Sequence, residues 1–152
     1  MVHTFLIASE EPSPRVLFSK CWDHDGDVRR SERESLIAAL VAGEVKATGA
    51  QRGVTRIPRG LLFETSQVVV WQHEAAAAAP RTACILACGE DENVLCAAHF
   101  LRTITSLLNR QRCGGETHDL LPEKMLLLLQ KFLPNGQLLF EGEDLARELA
   151  RD

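Results

Sequence analysis

Two short and almost uninterrupted apolar segments constrain the fold of this chain more than any other feature of its sequence. Residues 67–72 read QVVVWQ and residues 82–88 read TACILAC. A strand with one face in water alternates apolar and polar residues, whereas a run without alternation is typical of a strand buried on both faces. We therefore predict a β-sheet that other elements cover on both sides.

Three further segments extend this sheet. Residues 2–8 form another apolar run, and residues 15–22 form a β-rich segment after a loop with two prolines, so the two should pair as an antiparallel hairpin. Residues 60–64 are predicted to be the third strand, after a loop that contains glycines and arginines. Because the connections from this strand to residues 67–72 and then to 82–88 are too short for crossover helices, we expect an antiparallel meander.

Helical spacing of apolar residues marks two long segments. Residues 32–46 are predicted to form the first helix, with Ser31 and Glu34 as a capping box at its start. The second helix follows the strand at 82–88 and begins after Asn93, which is a good N-cap residue. One helix thus follows the second strand and another follows the fifth.

The C-terminal part of the sequence is also predicted to be mainly helical. A third helix has Asp119 as its cap and Pro122 in its first turn, and it ends before a turn at residues 134–136. A short extended piece at 137–140 then precedes a terminal amphipathic helix.

The predicted order of the main elements is β-β-α-β-β-β-α-α. It describes an α/β protein of the α+β type, in which helix one covers one face of a five-stranded antiparallel or mixed sheet and the later helices cover the other. A chain of 152 residues with 45% hydrophobic content is large enough to bury such a core, so we expect residues 1–152 to form a single domain.

Composition argues against several classes of protein. The 17 basic and 21 acidic residues give a net charge of −4 without a basic stripe, so the nucleic-acid-binding class is not indicated. The apolar runs are far shorter than the roughly 20 residues of a membrane-spanning helix. Since a strand is predicted from the second residue, we expect no secretory leader and a cytoplasmic protein. The five cysteines are an odd count without C-x-x-C spacing, so we expect reduced thiols.

Candidate sites for catalysis, cofactors or metals are weak. Cys84, Cys88, Cys96 and His99 lack the paired Cys spacing of a zinc site, and residues 23–27 lack the glycine position of a calcium-binding loop. None of the five histidines lies in a motif that brings it to a nucleophile, and there is no glycine-rich phosphate loop. We therefore expect no enzyme activity, no cofactor and no metal. Four basic residues flank the predicted loop after helix one and are interpreted as solvated, with a contact to anionic lipid as the alternative: Lys46, Arg52, Arg56 and Arg59.

Leu127 interrupts the charged face of the third predicted helix. It lies four residues after Glu123 and four before Lys131, which places an aliphatic side chain where solvent is expected. A lone exposed leucine is common, and the alternative is that a partner protein covers this face. The apolar strip Leu138, Leu139 and Phe140 is similarly open to two interpretations, completion of the core or contact with a partner.

Several stretches resemble the longin-like small (sigma) subunits of adaptor-protein coats, and the resemblance covers nearly the whole chain. The opening MVHTFLI and the later RVLFSKCW are similar to the start of these subunits. The phrase ENVL before the second helix and the phrase KFLPNGQLLF after the third fit best with the sigma-subunit family of the fifth adaptor-protein complex. The second of these phrases is the most specific match.

This resemblance implies a non-catalytic subunit in endosomal and lysosomal protein transport. Its partners would be a large zeta subunit, with beta and mu subunits, acting alongside spatacsin and spastizin on the cytoplasmic side of late endosome and lysosome membranes. An alternative is a longin-type regulatory domain of another trafficking complex, such as a tether or a SNARE. A SNARE would carry a long heptad-bearing helix after this fold, whereas here the sequence stops at Asp152.

Overall fold

The core of the computed structural model is a five-stranded sheet with the strand order β2-β1-β5-β4-β3, in which every neighbouring pair is antiparallel. The structure describes residues 1–10, 13–22, 29–60, 62–73, 82–113 and 122–138, without the side chains of 107–113 and 122–124. The strands are β1 (Val2–Ser9), β2 (Arg15–Cys21), β3 (Arg52–Ile57), β4 (Gln67–His73) and β5 (Thr82–Gly89).

Three α-helices and one short 3-10 turn accompany the sheet. They are α1 (Arg30–Thr48), α2 (Val94–Cys113), α3 (Pro122–Phe132) and the turn Pro134–Gly136. The order of strands and helices confirms the predicted α+β fold class and the longin-like arrangement. Among the described residues, no helix has the length and apolar character needed to cross a membrane.

Two apolar layers lie on opposite sides of the sheet. Ile37 and Val41 of α1 pack against one face, where β5 contributes Ile85. The other face packs against α2 and α3, and here β5 contributes the adjacent residue Leu86. Successive side chains of a strand point to opposite faces. The apolar sequence of β5 is unbroken because α1 buries one of its faces and α2 and α3 bury the other. The predicted sandwich is confirmed.

An irregularity in the β1–β2 pairing redirects the first hairpin. Ile7 lies opposite Phe18 and Ala8 lies opposite Val16, which leaves Leu17 as the extra residue of a bulge. As a result, Phe18 packs towards α2 and α3 while Val16 packs towards α1, although the two are only two positions apart.

The prediction of a strand at residues 60–64 is wrong, because the third strand is Arg52–Ile57. The segment after it is a loop in which the Gly60 N–H donates to the Phe63 carbonyl at 2.9 Å, and Phe63 packs against the α1 layer without joining the sheet. Residues 52–57 were expected to be a loop because they are half polar. An edge strand with one open face has this composition, and a search for apolar runs misses it.

Two smaller expectations also need correction. The N-cap of α1 is Arg29, and no side chain caps this end, so the Ser31 and Glu34 capping box does not form. Glu34 instead accepts a hydrogen bond from Nε of Arg30, one turn earlier, at 2.9 Å. Arg52 and Arg56 lie on β3 and therefore do not belong to a solvated loop.

Several predicted features lie outside the described residues. They are the acidic turn at 23–27, the cap at Asp119, the residues Leu139 and Phe140, and the terminal helix.

Candidate functional site

The outer side of α3 presents apolar side chains to solvent. Met125 and Leu129 are buried against the sheet, whereas Leu126 is 39% and Leu127 is 65% exposed. Met125 and Leu129 are four residues apart and lie on the same face of the helix, so Leu126 and Leu127 point away from this face. Leu127 therefore lies on the surface, and its contact with a partner stays a prediction.

The chain after α3 returns to the first residues of β1. Gly136 follows Asn135, and both have left-handed backbone conformations, with φ of 78° and 54°. A Cβ atom at Gly136 would collide with the Val2 carbonyl oxygen, so the close approach requires glycine. Leu138 then packs, partly buried, against the α2 and α3 layer. Within the phrase KFLPNGQLLF, residues 134–136 thus form a turn that packs against the start of β1.

A cleft of about 230 Å³ with a mixed polar and apolar lining lies between the first turns of α1 and the sheet. His3, Thr4 and Gln67 line it from the sheet, and Arg30 lines it from α1. The Arg30 guanidinium is engaged by Glu34 at 2.9 Å and by the Ser19 hydroxyl at 3.3 Å. The positive charge of this side chain therefore supports the packing of α1 on β2 and is already compensated.

The cysteines considered as zinc ligands are distributed over a strand and a helix. Cys84 and Cys88 of β5 are buried in the α2 and α3 layer, and Cys96 of α2 is half-buried. Within the described residues, no group of three His, Cys, Asp or Glu side chains is placed to hold a metal ion. Burial raises the pKa of the Cys88 thiol from 9.0 to about 12, and the Glu92 carboxylate acts in the same direction against the opposing N-terminal charge. Cys88 is therefore a neutral, poorly nucleophilic thiol at physiological pH.

A buried pair of titratable side chains was not predicted. His73 at the end of β4 is 8% exposed, and its Nε2 lies 3.2 Å from Oε2 of Glu10, which follows β1. The other oxygen of Glu10 has no hydrogen-bond partner among the described residues. The two residues are far apart in sequence and meet only because β1 and β4 both flank β5, so no sequence signal pointed to this pair.

The outer edge strand β3 carries exposed basic residues. Its exposed residues are Arg52, Val54 and Arg56, and these alternate with more covered residues. The alternation places the three side chains on the face of the sheet opposite Ile57, which packs towards α1. β3 thus presents a basic stripe with an aliphatic centre on the α2 side of the sheet.

A comparison with protein families places most of the chain in one of them. The model of the family described as AP-5 complex subunit sigma-1 matches residues 34–152. No curated protein matches the chain.

Proposed function

Because the chain belongs to the AP-5 complex subunit sigma-1 family, we propose that it acts as the non-catalytic small subunit of a heterotetrameric adaptor-protein complex. In this proposal it packs against the large zeta subunit, in an assembly with beta and mu subunits. The match over residues 34–152 carries the proposal, since it extends from α1 through the last described residues.

The architecture supports a role in assembly. Helices cover both faces of the central strands, so the described residues have an apolar layer on each side of the sheet. The side chains left over for contact with a partner include Leu126 and Leu127 on α3. Protein interfaces derive their affinity from a few buried apolar or aromatic anchors within a larger contact area. We propose Leu127 as such an anchor. Leu139, Phe140 and the part of Leu138 that is not packed against the α2 and α3 layer are proposed as further contacts.

The cellular site follows from the same premise. A subunit of this complex would act in endosomal and lysosomal protein transport, on the cytoplasmic face of late endosome and lysosome membranes. It would associate peripherally through the complex and act together with spatacsin and spastizin.

Affinity purification of the tagged chain from cells, followed by mass spectrometry, tests the assembly. We expect recovery of adaptor large and medium subunits, with zeta among the most abundant. Recovery of a tether or of SNARE proteins in their place would instead favour a longin-type regulatory domain and contradict the proposal.

Leu127→Asp tests the proposed anchor on α3. Since the side chain is 65% exposed, we expect a small change in the free energy of unfolding, within about 0.5 kcal/mol. A charge in an apolar contact should weaken the affinity for zeta by at least about tenfold, or about 1.4 kcal/mol, and thereby lower its recovery. Leu40→Asp is the matched control, because Leu40 is an exposed leucine on α1, across the sheet. Equal recovery of zeta with both variants would show that Leu127 is not part of the interface.

A further inference from the structure

Among the residues that the structure describes, no strand pairs with the outer edge of β3, and its ladder with β4 is regular. The N–H of His73 donates to the Gln51 carbonyl at 2.6 Å, and the β3–β4 register continues without a shift from Arg52 opposite Gln72 to Ile57 opposite Gln67. In an antiparallel pair, hydrogen-bonded and non-hydrogen-bonded positions alternate. The N–H and C=O groups of Arg52, Val54 and Arg56 therefore point away from β4, towards the open edge.

The side chains of the same three residues are exposed on one face of the sheet. Val54 is 49% exposed, and Arg52 and Arg56 flank it two positions away on either side. Among the described residues, neither arginine forms an ion pair. Arg59, just beyond the strand, is also exposed. A protein with a net charge of −4 thus has three exposed arginines close together along one edge of its sheet.

The opposite edge of the sheet is different. β2 carries the bulge at Leu17, and a bulge twists an edge strand and makes it a poor template for a further strand. β3 has no such irregularity. Its charges act as the barrier to unspecific pairing, because two copies paired in antiparallel fashion around Val54 would place Arg52 of one opposite Arg56 of the other.

We propose that the outer edge of β3 binds an extended acidic segment of a partner protein, which adds a sixth strand to the sheet. An antiparallel strand centred on Val54 places its residues two before and two after the centre opposite Arg56 and Arg52. Carboxylates at these two positions, with an aliphatic residue between them, match both the charge and the shape of the stripe. Main-chain hydrogen bonds supply the affinity in this mode of recognition, and the alternating side chains supply the specificity.

This proposal does not depend on the assembly with zeta, since it concerns β3 and not α3. The probe is a capped peptide with the sequence Ser-Glu-Thr-Val-Thr-Glu-Ser, titrated into the full-length ¹⁵N-labelled chain at low salt. We expect saturable shifts of the amide signals of Arg52, Val54 and Arg56, which weaken as salt is added because the paired charges are exposed.

Two matched pairs of reagents separate backbone pairing from simple charge attraction. N-methylation of the central valine of the probe removes a donor that faces β3 and should abolish binding, whereas N-methylation of the preceding threonine, whose N–H faces away, should not. The double variant R52E/R56E should bind the probe at least tenfold more weakly and should instead bind a probe with lysine at both glutamate positions. Arg15→Glu, at an exposed arginine on the β2 edge, should leave the affinity unchanged.

Three results would overturn the proposal. One is the absence of saturable shifts on β3 with the acidic probe. Another is equal binding of the two N-methylated probes, which would mean that charge alone attracts the peptide. The third is that the acidic probe does not bind, whereas phosphatidylserine vesicles bind the natural protein but not R52E/R56E. This result would make the basic stripe a membrane contact.

Discussion

Trp71 and Gly53 face each other across the β3–β4 ladder, and their fit depends on the missing side chain at position 53. The indole lies over the Gly53 backbone, so that an added Cβ would stand 2.5 Å from Cζ2 of Trp71. The indole Nε1 is buried and has no hydrogen-bond partner among the described residues. Among the described residues, the indole of Trp71 is therefore held by packing against Gly53 and not by a hydrogen bond.

We predict that Gly53→Ala lowers the free energy of unfolding by about 1–3 kcal/mol, because the new methyl group overpacks the site. Trp71→Phe removes Cζ2 and so relieves the collision with the new methyl group. The loss of unfolding free energy in the double variant G53A/W71F should therefore be smaller than the sum of the two single losses, by at least about 1 kcal/mol. Urea denaturation of the three variants measures this coupling. Gly43→Ala is the control, since an added Cβ there meets nothing within 4 Å and lies inside a helix, where alanine is favoured. Additive effects of the two substitutions would show that Gly53 is not held by Trp71.

The buried thiol of Cys88 makes the free energy of unfolding depend on pH in the alkaline range. Burial disfavours the thiolate and raises the pKa of this thiol from its ordinary value of 9.0 to about 12 in the folded protein. Above pH 9 the unfolded state releases a proton that the folded state keeps. The contribution of this thiol to the free energy of unfolding is therefore complete below pH 9 and is lost as the pH rises towards 12.

The loss of unfolding free energy between about pH 8.5 and 10.5 should therefore be smaller in Cys88→Ala, by about 2 kcal/mol at most. Urea denaturation at the two pH values measures it, and Cys96→Ala, at a half-buried cysteine of α2, is the control. Equal losses in the natural protein and in Cys88→Ala would contradict the raised pKa.

At the scale of single elements, the turn Pro134–Gly136 follows the last described helix and packs against the start of the first strand. The Gly136 N–H donates to the Leu133 carbonyl at 3.1 Å, and the Gln137 N–H donates to the Pro134 carbonyl at 3.0 Å. These two hydrogen bonds close the turn. Its third residue lies against the Val2 carbonyl, with no room for a side chain. The turn holds Leu138 against the α2 and α3 layer.

We predict that Gly136→Ala lowers the free energy of unfolding by about 3 kcal/mol, since it adds a steric collision to the strain of a positive φ. Gly49→Ala at the end of α1 separates the two causes. Gly49 has a φ of 65°, but an added Cβ meets nothing within 4 Å, so its substitution should cost only about 1 kcal/mol. Thermal or urea unfolding compares the two variants. Similar losses would mean that the contact with Val2 adds nothing to the strain.

At the scale of the whole molecule, β5 is the centre of the sheet. It lies between β1 and β4 and is covered by α1 on one face and by α2 and α3 on the other. β3 lies at the edge, with its outer main-chain groups open among the described residues. Protection of backbone amides should follow this difference, because a central strand is exposed only by global unfolding.

Hydrogen exchange followed by NMR should therefore show the slowest amides in β5, with free energies of opening near that of global unfolding. The amides of Arg52, Val54 and Arg56 should exchange faster than those of Gly53 and Thr55, which are bonded to β4. Equal protection of the two sets would mean that another part of the chain already covers this edge, and it would count against the proposed peptide site.

Sequence alone determined the elements whose burial leaves a continuous apolar signal. The runs in β1, β4 and β5, and the helical spacing in α1, α2 and α3, reflect contact with a core on one or two sides, and this signal is local. The sandwich followed from these patterns, whereas the family resemblance rested on specific phrases such as KFLPNGQLLF. The strand β3 was missed because its exposed face gives it the composition of a loop.

Only the tertiary structure decided which residues meet across the sheet. The pairing of Glu10 with His73, the fit of Trp71 on Gly53 and the close approach of Gly136 to Val2 all join positions that are distant in the chain. Strand order and register bring them together, and these depend on the combined packing of all the layers and not on any one segment. The open edge of β3 is of the same kind, since a strand becomes an edge only through the position of its neighbours.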